Sequence, residues 1–455
     1  MRTGRRVLVT LLISVLSGAC GNQEQMPVSV AELTTVEIRQ EGRENISPED
    51  QPGTEGKDFL PDGQGDNNGE NIWSEDQSGT DGENSSKDNQ WENNGESSGN
   101  SGGENGIPGR DISGEHSGQL SVSGADADRT WETDSEPEQV RITISAAGDV
   151  TMGNYIGQGY EISFRQTYDQ GAGDAYFFGN VADIFSEDDL TLVNLEGPLT
   201  RSGDFREGQT YCISGDPEYV NILTEGSVEV VSMGNNHRLD YKEQGTADTV
   251  EALEAAGILY AYDENYCMYE TKGIRIGIVS VNEVGQGAGV EKYLQEGIEQ
   301  LRQEGADLVF ACCHWGIERE YYPEDYQKSL GRKCIDWGYD LVIGHHPHVL
   351  QGVEEYGGKF IVYSLGNFCF GANRNPPDKD CMIFQQTFTF LEGEKQEDRE
   401  IRVIPCSVSS VTGRNDYKPT PSEGEEARRI VDKINECSRS FGVVFDEEGY
   451  LLKTE

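Results

Sequence analysis

Asp340-Leu341-Val342-Ile343-Gly344-His345-His346-Pro347-His348 reads as a short apolar run that stops in a loop of imidazoles. An aliphatic run bounded by Gly and Pro suits a buried strand. The loop after it holds three of the chain's six histidines. The same layout recurs upstream. Ala306–Ala311 leads into Cys313-His314-Trp315-Gly316, and Val228–Ser232 into Gly234-Asn235-Asn236-His237. Val140–Ser145 leads into Ala146-Ala147-Gly148-Asp149, and Leu190–Val193 into Asn194-Leu195-Glu196-Gly197. In an open α/β sheet, ligands bind outside the carboxyl ends of the strands. Asp, Glu, Asn and His delivered there by separate strands converge on one pocket.

Around these runs the periodicity alternates. Helical spacing is predicted for Asp174–Phe185, Glu243–Ala256, Val290–Glu304, Pro323–Trp337 and Glu425–Cys437. Strands are predicted at Ile258–Tyr260, Ile274–Val281, Leu308–Cys312, Phe360–Tyr363 and Met382–Phe390. Strands alternating with helices predict α/β layering. The late strands, Phe388–Ile404 in particular, lack helices between them and read as antiparallel, which gives the domain α+β character.

The chain's 455 residues carry a net charge of −46, with only 35% hydrophobic residues. Such an average predicts folded and unfolded parts in one chain. The acidity excludes nucleic acid as a partner, since that needs a basic footprint. Residues 1–20 read as a lipoprotein signal peptide. Arg2, Arg5 and Arg6 precede the apolar Val7–Leu16, which is too short to span a bilayer. Leu16-Ser17-Gly18-Ala19-Cys20 then resembles a lipobox, with Ser17 where Leu is usual, and this makes Cys20 the lipidation site. Residues 21–138 are an acidic Gly/Asn/Ser-rich stretch with the composition of disorder. As a tether of about 115 residues it would reach roughly 55–65 Å. Residues 139–455 remain for one large folded domain. The nine cysteines after Cys20 are scattered, contain no C-x-x-C pair, and read as buried thiols.

Taken singly, each strand-end motif is weak: a Gly-Asp is often only a turn, and a His in an Asn-rich loop is most often a surface residue. Together, Asp149, Glu196, Asn236, His314, His346 and His348 mix oxygen and imidazole ligands on successive strand ends. That mix suits Zn, Mn or Fe rather than a thiolate site, with one or two divalent ions balancing the two carboxylates. Gly352–Lys359 is a near miss for a phosphate-binding loop, with Phe360 where Ser or Thr is required.

Six motifs then carry a family resemblance. They are Gly148-Asp149, Asn194-Leu195-Glu196-Gly197-Pro198-Leu199-Thr200, Asn235-Asn236-His237 with Asp240, His314-Trp315-Gly316 with Glu318, Gly344-His345-His346-Pro347-His348-Val349-Leu350-Gln351, and Tyr363-Ser364-Leu365-Gly366-Asn367-Phe368. In this order, over roughly Ile142 to Phe370, the chain resembles the CapA family of capsule or poly-γ-glutamate biosynthesis proteins. The resemblance implies a calcineurin-like metallophosphoesterase sandwich, with mixed sheets flanked by helices and a two-metal site. It implies metal ligation by Asp149, Asn236, His314, His346 and His348. Asn194 and Glu196 stand where a bridging Asp is usual; Glu196 is taken as a ligand and Asn194 as a substrate contact. His237 would protonate the leaving group, oriented by Asp240, and Glu318 and Arg319 would contact substrate. For Asp240 the residues equally allow a helix cap near Tyr241, and for Glu318 and Arg319 a surface pair. His345 is supernumerary and is not assigned as a ligand.

One departure stands out. The fold's usual first motif is Asp-x-His, but here Asp149-Val150-Thr151 lacks the imidazole. The resemblance therefore implies one of three roles. The first is a lipid-anchored, metal-dependent hydrolase of capsule or poly-γ-glutamate biogenesis on the extracytoplasmic face of the membrane. The second is a non-catalytic polymer-binding or scaffold subunit, and the third a general surface metallophosphoesterase. The implied partners are an anionic polymer or phosphoester, the membrane through its anchor, and a separate ligase or export complex.

Overall fold

The computed structural model describes residues 138–452, apart from residue 398. The signal segment, Cys20 and the linker, but for its last residue, lie outside the described residues. β1 (Gln139–Thr151), β2 (Leu190–Leu195) and β3 (Val230–Ser232) precede helix α1 (Lys242–Ala256) and β4 (Leu259–Ala261). β5 (Cys267–Thr271), β6 (Ile274–Asn282), α2 (Val290–Gln303) and β7 (Leu308–His314) follow. Next come α3 (Asp325–Trp337), β8 (Leu341–His345), β9 (Val353–Tyr356) and β10 (Lys359–Val362). β11 (Asn367–Phe370), β12 (Asp380–Leu391), β13 (Glu400–Ser407) and α4 (Gly424–Ser438) complete the domain.

Two mixed sheets form. One runs β13-β12-β1-β2-β3-β4, with β11 beside the end of β1; the other runs β9-β10-β8-β7-β6-β5. Each has parallel strands at its centre, with antiparallel pairing toward one or both edges. Alternation along each strand sorts the side chains into layers. Ile142, Ile144, Leu192 and Val230 from the first sheet meet Ile276, Ile278, Phe310 and Ile343 from the second in one inter-sheet core. The opposite face of the first sheet packs Val193 and Val231 with Phe177, Phe185 and Leu253 of the helical layer. The outer face of the second sheet packs Val309 and Val342 with Leu294 of α2 and Cys334 of α3. The fold is thus helix, sheet, sheet, helix: the alternating sequence predicts the α/β layering, and the family resemblance implies the two flanked sheets. Each fully buried Leu, Ile or Phe contributes about 1.5–3 kcal/mol.

One local expectation changes. Asp174–Phe185 forms two short helices, Asp174–Phe178 and Ala182–Ser186, which part at Gly179. Gly352–Lys359, which the sequence reads as falling short of a phosphate loop, holds β9 and turns toward β10 at Gly357-Gly358, both at positive φ. β5, β9 and β11 were not legible, because short strands with mixed side chains carry little periodic signal. Among the described residues no helix is long and apolar enough to cross a membrane. The nine described cysteines are free thiols, eight of them buried.

Candidate metal centre

The inter-sheet layer is apolar along most of its length and turns polar at the carboxyl ends of the strands. On β7 the inward residues run Leu308, Phe310, Cys312 and then His314; on β8 they run Leu341, Ile343 and then His345. On β2, Leu190 and Leu192 give way to Asn194. β1 reaches the same layer by a bulge. Its pairing with β2 shifts by one residue between Ala147 and Asp149, and a one-residue bulge swaps the faces of all that follows. Gly148 makes this fit, since a Cβ there would lie 1.9 Å from the carbonyl oxygen of Gly366. Asp149 is then clamped by its own amide, which donates to that same carbonyl at 3.0 Å.

Two overlapping groups of side chains result. Asp149, Glu196 and His348 bring ligand atoms within 4.8 Å of one another, as do Glu196, His314 and His346. Glu196 belongs to both. Its Oε1 lies 3.6 Å from His314 Nε2 and 3.8 Å from His348 Nε2. Both of its carboxylate oxygens are buried without a hydrogen-bond partner. Asp149 Oδ2 is likewise unpartnered, 3.1 Å from His348 Nδ1 but outside hydrogen-bond geometry. Asn236 Oδ1 stands 2.9 Å from His314 Nε2, beside the second group. Buried carboxylate oxygens without donors cost several kcal/mol unless a cation meets them. The donor set of carboxylate, amide oxygen and imidazole therefore fits one or two divalent ions of the Mn, Fe or Zn kind.

The electrostatics point the same way. Burial, with His348 beside it, drives His346 down to about 3, and burial with His346 beside it holds His314 well below its ordinary value. Both rings are therefore neutral and offer lone pairs. Burial pushes Glu196 up to about 7, with His348 pulling the other way. His348 resists burial and is raised to about 10 by Glu196 and Asp149. The site thus demands positive charge where Asp149, Glu196 and His348 meet. The loop after β8 is strained to deliver its imidazoles: His346 has φ +96° and His348 φ +57°. Such residues cost about 1–3 kcal/mol each and persist where the surroundings over-determine them.

His237 lies on the rim, with Nε2 4.0 Å from Glu196 Oε1. Its Nδ1 is 2.7 Å from Asp240 Oδ2. Burial works against its charged form, but Asp240 holds its pKa above the ordinary value. Asp240 does not cap α1, whose N-cap is Tyr241; its carboxylate accepts from the Ile213 amide at 2.8 Å. Asn194, expected to touch substrate, is fully buried. Its amide donates to Asp149 Oδ1 at 2.9 Å and its oxygen accepts from Asn235, so it props Asp149 rather than facing a ligand. Glu318 is half-buried and acts on Glu196 and His348 through space. Arg319 is exposed, and its amide donates to Pro347 O at 2.8 Å.

Three contributors escaped sequence reasoning. Asn235 bonds Asn194, the Leu195 carbonyl and the His237 amide. Asn367, at the start of β11, bonds His348 Nδ1 at 2.9 Å. His345 lies 3.5 Å from Asp149 Oδ1. Asn235 and His345 were visible as doubled letters beside assigned ligands; β11 itself was not foreseen.

Residues 143–372 match the family described as bacterial capsule synthesis protein PGA_cap. The chain is 29% identical over 249 residues to the PGA biosynthesis protein CapA of Bacillus subtilis (strain 168), covering 50% of this chain and 63% of that one. It is 28% identical over 258 residues to the capsule biosynthesis protein CapA of Bacillus anthracis, covering 51% and 61%. The chain thus spans less than two thirds of the length of these curated relatives. Among solved structures, a hypothetical protein from Thermus thermophilus aligns over 58% of this chain and 98% of its own, at 16% identity and a TM-score of 0.37. A likeness that faint carries no functional weight.

Proposed function

Because this chain belongs to the PGA_cap family of bacterial capsule synthesis proteins, we propose that its folded part is a divalent-metal hydrolase centre acting on an anionic polymer or phosphoester during capsule or poly-γ-glutamate biogenesis. The observation that carries this reading is Glu196. Both its oxygens are buried and unpartnered, and His237, His314 and His348 stand 4.0, 3.6 and 3.8 Å from Oε1. Asp149, Glu196 and His348 would hold one ion, and Glu196, Asn236, His314 and His346 the other. When bound, such ions supply Lewis acidity, polarising a phosphoryl or acyl oxygen and acidifying water.

The protein's own groups do the rest. Asn194 fixes Asp149, and Asn367 fixes His348 through Nδ1. Asp240 orients His237, which holds a proton for the departing oxygen or nitrogen and delivers it as the bond breaks. Glu318, half-buried, and Arg319, exposed, would contact the substrate. We further propose that lipidation at Cys20 holds the protein on the extracytoplasmic face of the membrane, beside a separate ligase or export complex. The support is the sequence of residues 1–20 and the capsule role of the family.

Thr151, standing where the related fold carries an imidazole, favours a second reading: a polymer-binding subunit whose ions bridge polymer carboxylates without turnover. Metal content of the full chain, with phosphoester and γ-glutamyl hydrolysis on the same samples, separates the two. The hydrolase reading expects bound metal in wild type and in His237→Ala, and turnover lost by at least about 100-fold in His237→Ala alone. Metal without turnover on either substrate class selects the binding role. A metal-free wild type, matching a His346→Ala/His348→Ala double variant, refutes the centre.

A further inference from the structure

His345 is 1% exposed, and neither of its ring nitrogens has a hydrogen-bond partner. The positions below it on the same face of β8 are Leu341 and Ile343, which pair with Phe310 and Cys312 of β7, while His345 itself pairs with His314. A purely structural position in this row would be apolar, because a buried imidazole without partners costs about 1–3 kcal/mol relative to a hydrocarbon of similar shape. The ring faces the end of β1 in the opposite sheet. Its Nδ1 lies 3.5 Å from Asp149 Oδ1.

The two oxygens of Asp149 are divided. Oδ1 accepts from Asn194 Nδ2 at 2.9 Å and has His345 on its other side. Oδ2 has no hydrogen bond and lies toward His348, within the group that also holds Glu196. His345 is absent from both groups of converging ligand atoms. We propose that His345 is a positioning residue of the metal centre: its Nδ1–H points at Asp149 Oδ1, and with Asn194 it turns Oδ2 to the cation. This rests on the metal-centre reading above. It also accounts for how the Asp149 side works without an imidazole at Thr151. A carboxylate held from behind by an amide and an imidazole, across two sheets, is fixed in direction and needs fewer ligands to be an effective donor.

The test is manganese titration of the full chain, followed by calorimetry and by metal analysis after gel filtration. Asp149→Asn marks the binding step that depends on Asp149, and His346→Ala marks the other. His345→Leu is expected to weaken the Asp149-dependent step by about 10–100-fold, leaving the His346-dependent step within about threefold, and His345→Gln, which keeps an N–H donor, to restore most of the loss. Unchanged affinity in a folded His345→Leu, or equal weakening of both steps, overturns the proposal. If His345→Leu does not fold, nitrogen-15 histidine spectra of the zinc-loaded wild type decide. An Nδ1–H tautomer at His345 supports positioning; a ring nitrogen at a metal-coordinated shift makes His345 a ligand and overturns it. A wild type that binds no manganese or zinc refutes the metal centre itself, a result distinct from all of these.

Discussion

A Cβ at position 148 would lie 1.9 Å from the carbonyl oxygen of Gly366, and 2.9 Å from its carbonyl carbon. Neither atom belongs to a flexible side chain, so β1 and the Gly366 turn would have to part. Gly148→Ala is therefore expected to cost about 2–4 kcal/mol in urea unfolding. It should also weaken the Asp149-dependent manganese step, because the bulge aims Asp149. An unchanged unfolding midpoint would contradict the bulge geometry. At this scale the sequence was informative about candidate ligands and silent about their props. Asp149, Glu196, His314, His346 and His348 stood out because metal-ligating types at strand ends are few. Asn194 was read as a substrate contact, since no pattern distinguishes an amide that faces a ligand from one that faces a carboxylate. The bulge that separates those outcomes depends on a partner turn more than 200 residues away.

Among elements, aromatic contacts add to the largely aliphatic packing between the two sheets. Phe310 of β7 stacks on Phe388 of β12 with ring centroids 5.6 Å apart. Phe310→Ala is expected to lose about 3–5 kcal/mol. In a double-mutant cycle with Phe388→Ala, the coupling should be about 0.5–1.5 kcal/mol. Additive losses would mean the rings do not bear on each other. β7 and β8 were legible as continuous apolar runs because one face meets helices and the other the first sheet, and both are apolar. Which face carried the site was not legible in the letters: Cys313 and His314 differ by one step. The structure resolves it by turning Cys313 toward α3 and His314 inward.

For the molecule as a whole, buried carboxylates at the opposite strand ends set the response to pH. Asp340 is 2% exposed and its Oδ2 accepts from Arg302 and the Val309 amide at 2.6 and 3.0 Å. Burial alone would raise its pKa, but Lys395, Lys359 and Arg302 outweigh it, and the folded value lies below the ordinary one. Its contribution is therefore complete above the unfolded value of about 4 and lost as pH falls through the folded value. Asp188 runs the other way. Burial, against hydrogen bonds from Ser145 and Thr191, pushes it up to about 7. Ionising it in the folded protein is unfavourable, so stability declines between about pH 4 and 7 on its account. Melting curves across pH should show Asp188→Asn gaining stability above pH 7 and little changed at pH 4. Asp340→Asn should lose stability at pH 7 and flatten the acid limb. Parallel curves for wild type and both variants would mean neither carboxylate senses folding.

The sequence by itself determined the layered α/β class and the set of candidate metal-ligating residue types, because strand periodicity and residue chemistry are local properties. It also carried the family, which the six ordered motifs resemble and which residues 143–372 match. Only the tertiary structure decided how the candidate ligands divide around Glu196, that Asn194 and Asp240 hold other residues in place, and that His345 reaches Asp149 from the opposite sheet. Those relations are set by register, by one bulge and by the contact of two sheets, and none of these leaves a mark on the letters of a single strand.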